Sequence, residues 1–370
     1  MTSHPDDKIR LVVLFGGQSA EHDVSCTTAA HVLAAADADR YQIEPIGITR
    51  DGAFVRAGDA AALLPGGAGA AIQALEPVGP GTELMSSVAE LATDGQVVVL
   101  PLLHGPLGED GTVQGLCELA NVAYVGAGVL GSATAMDKVM AKTVLGAHGI
   151  PQTAWLAFQE SQIIGDLRAS AKKAAAELGL PCFVKPANMG SSVGVGKATT
   201  EDELVEAMAE ALKYDEWLVI EEAVIGREIE VAVLGNEELE LSVPGEVIPG
   251  ADFYDYEDKY VDGNARLVIP AELGEAVAER VHELAVDAYR ALRVEGMARA
   301  DFLYEEHGRG LLVNELNTIP GFTPISMYPK LWQASGLSYS ALIDRLVDLA
   351  IDRHRRRAGK RLTTHTARQD

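Results

Sequence analysis

The 370-residue sequence predicts an α/β protein that begins with a parallel sheet covered by helices. Three observations carry that expectation. Apolar strands alternate with helical stretches from residue 11 onward. The first strand closes on Gly16-Gly17, a turn signal before a helix. The length exceeds one ordinary core, so two or three packed units are expected, and 48% hydrophobic residues supply their interiors.

Element by element, residues 11–15 read as a strand, 24–36 as a helix, 43–48 as a strand and 97–103 as a buried strand. The Ala/Gly-rich stretch 57–74 reads as a surface insertion without chemistry. One helix is expected over 132–148, ended by Gly149 and Pro151. A second unit follows: helix 167–178, strand 182–185, a Gly-rich loop, helix 201–212 and strand 218–222. The third carries strands 228–234, 298–304 and 311–317, an amphipathic helix 273–292 and a closing helix 339–354.

Composition excludes several function classes. A formal net charge of −24 opposes a nucleic-acid partner, since a phosphate backbone rewards basic patches. No apolar run reaches the ~18 residues of a membrane span, and the polar start at residues 1–10 has no signal-peptide core. A soluble cytoplasmic protein is the expectation. The basic cluster 353–361 reads as a solvated, frayed terminus. Cys26, Cys117 and Cys182 form no metal or disulfide pattern and read as small buried hydrophobes.

Two segments carry most of the chemistry. Residues 185–197 (KPANMGSSVGVGK) place Lys185 at a strand end before a loop with Gly190, Gly194, Gly196, Ser191 and Ser192. Such a loop can turn backbone N–H groups and hydroxyls toward an anion, as a flap over phosphates. A flexible surface loop is the competing reading. Residues 298–304 (ARADFLY) and 311–317 (LLVNELN) read as a hairpin centred near Gly308. That register pairs Asp301 with Glu315 and Arg299 with Asn317 and puts all four on one face. Ala300, Phe302, Tyr304, Leu312 and Leu316 then form the apolar face. Two facing carboxylates and an amide oxygen suit Mg²⁺ shared with substrate phosphates.

Residues 318–327 (TIPGFTPISM) follow, with a Pro320-Gly321 turn whose N–H groups could face a forming oxyanion, and the Ser326 hydroxyl. Near the N-terminus, GGQSAEHDVS puts Glu21 at a helix start, where it could cap the helix or pair with a ligand ammonium group. By itself the sequence favours capping. His104 lies in a Gly-dense loop (HGPLGEDG) after a buried strand, a place where sheet enzymes bind ligands, although a loop histidine is commonly just solvated.

Taken together, GGQSAEHDVS, LHGPLGEDG, MDK with Lys138, KPANMGSSVGVGK and NELNTIPGFTPISM resemble, in order, the motifs of the D-alanine:D-alanine ligase family of ATP-grasp enzymes. The resemblance spans about residues 11–350. It implies a three-part ATP-grasp architecture: a pre-ATP-grasp domain at 1–131, a central subdomain at 132–223, a C-terminal subdomain at 224–355 and a basic flexible tail at 356–370. It also implies ATP-dependent formation of D-alanyl-D-alanine for peptidoglycan, through an acylphosphate, by a cytoplasmic homodimer. Lys138 and Lys185 would contact the phosphates, with Glu221 and Glu228 on the adenine and ribose side. Asp301, Glu315 and Asn317 would hold two Mg²⁺, with Mn²⁺ able to substitute. Glu21 would bind the first D-alanine near His104, Arg299 and the Gly321 backbone would stabilise the oxyanion, and Ser326 would receive the second D-alanine.

Residues 253–260 (FYDYEDKY) resemble the family's omega loop, with Lys259 reaching the transferred phosphate and Tyr260 linked to Ser191 and Glu21. Relatives that make D-alanyl-D-lactate lack this Lys-Tyr ending, so the resemblance favours an amine acceptor over a hydroxyl. A D-serine acceptor is harder to separate. Another ATP-grasp ligase would be expected to lack Glu21, His104 and the Lys259-Tyr260 pair. A catalytically inactive nucleotide-binding protein would be expected to lose one of Lys185, Arg299, Asp301, Glu315 or Asn317, and all five are present.

Overall fold

A computed structural model describes residues 8–58, 74–82, 96–249 and 266–360. Most of the insertion at 57–74, the loop 253–260 with Lys259 and Tyr260, and residues 361–370 lie outside the described residues.

The run IRLVVLFG forms strand β1 (Ile9–Gly16), whose last six residues are buried. Its apolar side chains face two different cores, one on each side of the sheet, as expected for a strand covered on both faces. β2 (Tyr41–Ile48) lies parallel to β1, and β3 (Phe54–Arg56) adds an antiparallel edge that the sequence reading did not contain. β4 (Val97–Pro101) and β5 (Ala123–Tyr124) complete the parallel side, giving the order β3-β2-β1-β4-β5. β4 ends two residues before the expected 103, yet the Leu102 N–H still donates to Leu14 O at 2.9 Å.

The single helix expected over 132–148 is two helices, Val129–Met136 and Lys138–Ala147. Asp137 adopts extended backbone between them and its carboxylate accepts from the Met140 N–H. That is an N-cap inside what reads as a continuous periodic pattern.

The second sheet is antiparallel, in the order β6 (Trp155–Gln159), β9 (Trp217–Glu222), β7 (Cys182–Pro186), β8 (Gly196–Ala198). β6 and β8 were not read from the sequence. Helices Leu167–Leu178 and Glu201–Ala211 cover this sheet, capped by Asp166 and Thr200.

The third sheet has β10 (Arg227–Gly235) near its centre, flanked by β11 (Leu239–Leu241), β12 (Gly245–Ile248) and β13 (Arg266–Val268) on one side. On the other side are β14 (Gly296–Glu305) and β15 (Gly310–Asn317). The amphipathic helix Glu275–Ala291 packs Val281, Leu284, Ala285 and Ala288 onto this sheet.

The closing helix Tyr339–Ala358 runs past the expected end at His354, so residues 353–358 of the basic cluster are helix and not a frayed terminus. Arg353 is buried, donates to Tyr124 O at 2.7 Å and stacks over the Tyr124 ring. Arg356 and Arg357 pair with Glu295 at 2.7 and 2.8 Å. These contacts tie the first sheet to the third. The three cysteines are buried as expected, and burial pushes the Cys26 and Cys117 thiols up to about 12. Among the described residues, no helix is long and apolar enough to cross a membrane.

Candidate active site

The β14–β15 hairpin pairs Arg299 with Asn317 and Asp301 with Glu315, the register its sequence predicts. Beyond Asp301 the register shifts by one, and Phe302 faces Val313. Asn314 is the extra residue of this β-bulge. The expected apolar face is therefore corrected toward the turn: Leu311 and Val313, not Leu312, join the core beneath the sheet.

On the site face the Arg299 guanidinium is fixed from two sides. Nε and Nη2 donate to Asp301 at 2.7 and 2.6 Å, and Nε lies 3.0 Å from Glu230 on β10. The register sets Glu230 directly opposite Asp301 and Glu228 opposite Leu303, so alternation brings both glutamates to the same face. Burial alone would weaken the charge of Arg299, but Asp301 and Glu230 outweigh it and hold the group well above its ordinary range. The Asn317 amide donates to Asp301 at 2.8 Å.

A second charge cluster gathers around Glu221. Glu221 on β9, 3% exposed, accepts from the Thr153 hydroxyl at 2.7 Å and pairs with Lys142 and Lys185, each at 3.0 Å. Burial would raise the Glu221 carboxyl, but Lys185 and Lys142 hold it far below the usual range. Lys185 is kept above its ordinary value by Glu221 and Glu315 despite burial, whereas burial lowers Lys138 and Lys142. Lys138, at the start of its helix, donates to Met189 O at 2.6 Å, which ties that helix to the Gly-rich loop.

The third cluster comes from the first sheet. Glu21 occupies the N-cap position of helix His22–Ala35 but makes no capping bond, so the capping reading is corrected. Its carboxylate instead accepts a short hydrogen bond from Ser191 of the Gly-rich loop. A Cβ at Gly190 would sit 3.2 Å from Glu21 Oε2 and one at Gly105 3.3 Å, so bare backbone lets the three segments meet. Ser191 and Ser192 adopt φ of +45° and +59°, a left-handed backbone that side-chain-bearing residues rarely take. This loop docks on the first sheet, against the reading as a free surface loop. His104 is 5% exposed, not solvated, with Nδ1 3.9 Å from Glu109. Burial disfavours its charged form, but Glu109 and Glu21 outweigh that and raise it.

The turn after β15 completes the set. The Ser326 hydroxyl accepts from the Thr323 N–H at 3.2 Å and shares a 2.8 Å hydrogen bond with the Thr323 hydroxyl. A Cβ on Gly321 would meet Ser326 Oγ at 3.1 Å, so the turn packs closely there. One cavity of about 900 Å³ is lined by Glu21, His104, Lys138, Lys185, Ser191, Glu221, Glu228, Arg299, Asp301, Glu315, Asn317, Gly321 and Ser326. Every site residue expected from the sequence and described in the structure therefore opens onto one space.

Comparison with known proteins decides the lineage. Family models described as D-ala D-ala ligase N-terminus and D-ala D-ala ligase C-terminus match residues 10–127 and 144–348. The D-alanine--D-alanine ligase of Bacillus cytotoxicus is 44% identical over 352 residues, covering 94% of this chain and 97% of its own. The chain belongs to the D-alanine–D-alanine ligase family. The D-alanine-D-alanine ligase structure from Coxiella burnetii aligns with a TM-score of 0.76 at 35% identity, covering 95% of this chain and 96% of that one. The VanG D-Ala:D-Ser ligase from Enterococcus faecalis gives the same TM-score at 31% identity, covering 93% and 99%. The three-sheet α/β architecture is thus the ATP-grasp arrangement that the resemblance implies.

In this ligase, sequence reasoning missed four residues in or directly behind the cavity wall. Glu230 follows Glu228 by two on a strand and could have been found by alternation. Lys142 follows Lys138 by one helical turn, a spacing that puts both on one face. Glu109 was inside a motif already singled out, and Thr153 carried no local signal. As a cation site, the hairpin offers two opposed carboxylates and a neighbouring amide, hard oxygen donors with few protein ligands. Among the described residues, no group of three or more His, Cys, Asp or Glu side chains converges as a ready-made metal cage. The set fits a divalent cation that completes its shell with phosphate oxygens and water.

Proposed function

We propose that this protein joins two D-alanine molecules into D-alanyl-D-alanine, using ATP and releasing ADP and phosphate. The observation that carries the reading is that Lys138, Lys185, the carboxylate hairpin and Glu21 line one and the same cavity. A carboxylate oxygen is a poor leaving group, so the first D-alanine must be activated. Its carboxylate oxygen attacks the γ-phosphorus of ATP, forming an acylphosphate as the bond to ADP breaks. The amine of the second D-alanine then adds to the acyl carbon, and the tetrahedral adduct collapses with loss of phosphate.

Residue roles follow from position. Glu21, oriented by Ser191, takes the ammonium of the first D-alanine beside His104. Lys138 and Lys185 neutralise phosphate charge, while Glu221 and Glu228 stand on the adenine and ribose side. Arg299 and the Gly321 N–H stabilise the oxyanion. Ser326, held by Thr323, receives the carboxylate of the second D-alanine. Asp301, Glu315 and Asn317 would hold Mg²⁺, or Mn²⁺ in its place, which supplies charge neutralisation on the phosphates. Lys259 and Tyr260 are assigned from the family's omega loop, to reach the transferred phosphate and to close over the acylphosphate and exclude water.

D-serine as acceptor is the second reading, because a D-Ala:D-Ser ligase aligns in fold as well as a D-alanine ligase does. The 44% identity to a D-alanine ligase favours D-alanine. Purified protein with ATP, Mg²⁺ and D-alanine, and L-alanine as control, tests the reading through phosphate release and mass spectrometry of products. Dipeptide equal to phosphate and formed only from D-alanine is expected, and D-serine competition ranks the acceptors. ATP cleavage without dipeptide, or no cleavage with any acceptor, contradicts the proposal.

A further inference from the structure

Lys142 takes no part in the roles above, yet it is a lysine only 2% exposed and within 3.0 Å of a buried carboxylate. It sits behind the cavity wall: Glu221, Lys185 and Thr153 line the cavity, and Lys142 backs them from its helix. Its ammonium donates to the Thr153 hydroxyl at 2.9 Å and pairs with Glu221 Oε2 at 3.0 Å. The Thr153 hydroxyl passes its own hydrogen to the same carboxylate oxygen at 2.7 Å, closing a three-membered ring of contacts. Glu221 Oε1 holds Lys185, whose side chain is 17% exposed against 3% for Lys142. One carboxylate therefore carries two ammonium groups, an inner one clamped by Thr153 and an outer one facing the cavity.

That asymmetry has a consequence for ligand binding. If Lys185 turns to a nucleotide's phosphates, Glu221 loses half of its counter-charge while still shielded from water. A buried carboxylate left without a cation is strongly disfavoured, and the cost would be subtracted from the binding of the nucleotide. With Lys142 in place the carboxylate stays neutralised throughout.

We propose that Lys142 is a positioning residue for nucleotide binding, holding the charge of Glu221 so that Lys185 can leave it for the phosphates. The proposal rests on the reading that Lys185 takes those phosphates. The ring of contacts explains why the inner cation is a lysine fixed by a hydroxyl, whereas the outer one lies where a ligand can reach it. In the absence of Lys142, Lys185 becomes the one lysine paired with Glu221, beside the Thr153 hydroxyl, and is retained there.

The test is calorimetric titration of the full-length protein with ATP and Mg²⁺, without D-alanine, for wild type, K142M, K142R, E221Q, K142M/E221Q and K185M. K142M should weaken ATP binding roughly tenfold, the size of one charge-assisted contact. K142R, which keeps the charge, should recover most of that loss. In the E221Q background, where there is no carboxylate to neutralise, adding K142M should change the affinity by less than about threefold. A merely structural lysine would lower the melting temperature and leave the affinity of the folded protein unmoved. Wild-type affinity in folded K142M, or an equal loss with and without the Glu221 charge, overturns the proposal. If K142M does not fold, T153V loosens the same clamp: a smaller loss in the same direction is expected, and unchanged affinity overturns it. K185M keeps the two ideas separate. Unchanged ATP binding in K185M refutes the phosphate role of Lys185 itself, whereas weakened K185M beside unchanged K142M refutes only the role of Lys142.

Discussion

The two buried charge clusters at the cavity wall are mirror images. At Glu221 one anion holds two cations, Lys142 and Lys185. At Arg299 one cation holds two anions, Glu230 and Asp301. The first cluster has positive charge to spare and suits phosphates. The second has negative charge to spare and, with Glu315 opposite Asp301, suits a divalent cation. In each, the group nearest the proposed ligand is shared with an inner partner, so a cluster stays compensated when the ligand arrives. On the proposed function, this difference in sign would let one cavity take a nucleotide and a divalent cation together.

Removing the negative side should have the largest effect. Asp301→Asn combined with Glu315→Gln is expected to lower turnover by on the order of 10³-fold, since charge neutralisation at transferring phosphate is among the largest catalytic contributions. Steady-state rates over a Mg²⁺ series check it, and full activity in the double variant would remove the metal assignment.

The lysine side should show itself in stability. Glu221→Gln leaves two buried lysines without their carboxylate, a loss of about 3–5 kcal/mol near neutral pH. Because the folded carboxyl lies below its ordinary value of 4.5, the unfolded chain binds more protons as the pH falls through that value. The Glu221 contribution is fully present above that pH and fades below it. Urea midpoints should therefore converge for wild type and variant in acid, and a gap that stays constant from about pH 5 to about pH 2 would contradict the ion pairing.

A smaller effect belongs to the inner anion. Glu230→Gln leaves Asp301 as the main charged partner of Arg299, so the guanidinium should compete harder with the cation. The half-saturating Mg²⁺ concentration is expected to rise several-fold, in keeping with the ~1.5–3 kcal/mol of a charged hydrogen bond. An unchanged Mg²⁺ requirement would confine Glu230 to packing.

Much of this contrast was legible in the sequence, and unevenly so. The hairpin pairs Asp301 with Glu315 as alternation and turn placement required, because a strand pair is a local object with few degrees of freedom. The bulge at Asn314 was not legible, since one extra residue leaves the apolar pattern nearly unchanged. The break at Asp137 hid for a similar reason: a single N-cap interrupts a helical periodicity without altering it. Lys142 and Glu230 were visible only as spacings of four and two from residues already chosen. What makes them part of the site is which carboxylate or guanidinium the fold brings opposite, and that is tertiary. Glu21 shows the limit most plainly: its position says cap, and only the distant loop carrying Ser191 redirects its carboxylate.

The central claim is that the cavity activates one D-alanine by passing it the phosphoryl group. D-alanine labelled with ¹⁸O in both carboxylate oxygens, incubated with unlabelled ATP and Mg²⁺, tests that transfer directly by mass spectrometry of the phosphate released. An acylphosphate leaves the carboxylate's bridging oxygen on phosphorus, so one ¹⁸O per phosphate is predicted, with the other retained in the new amide. Phosphate free of label, alongside dipeptide, would contradict the account.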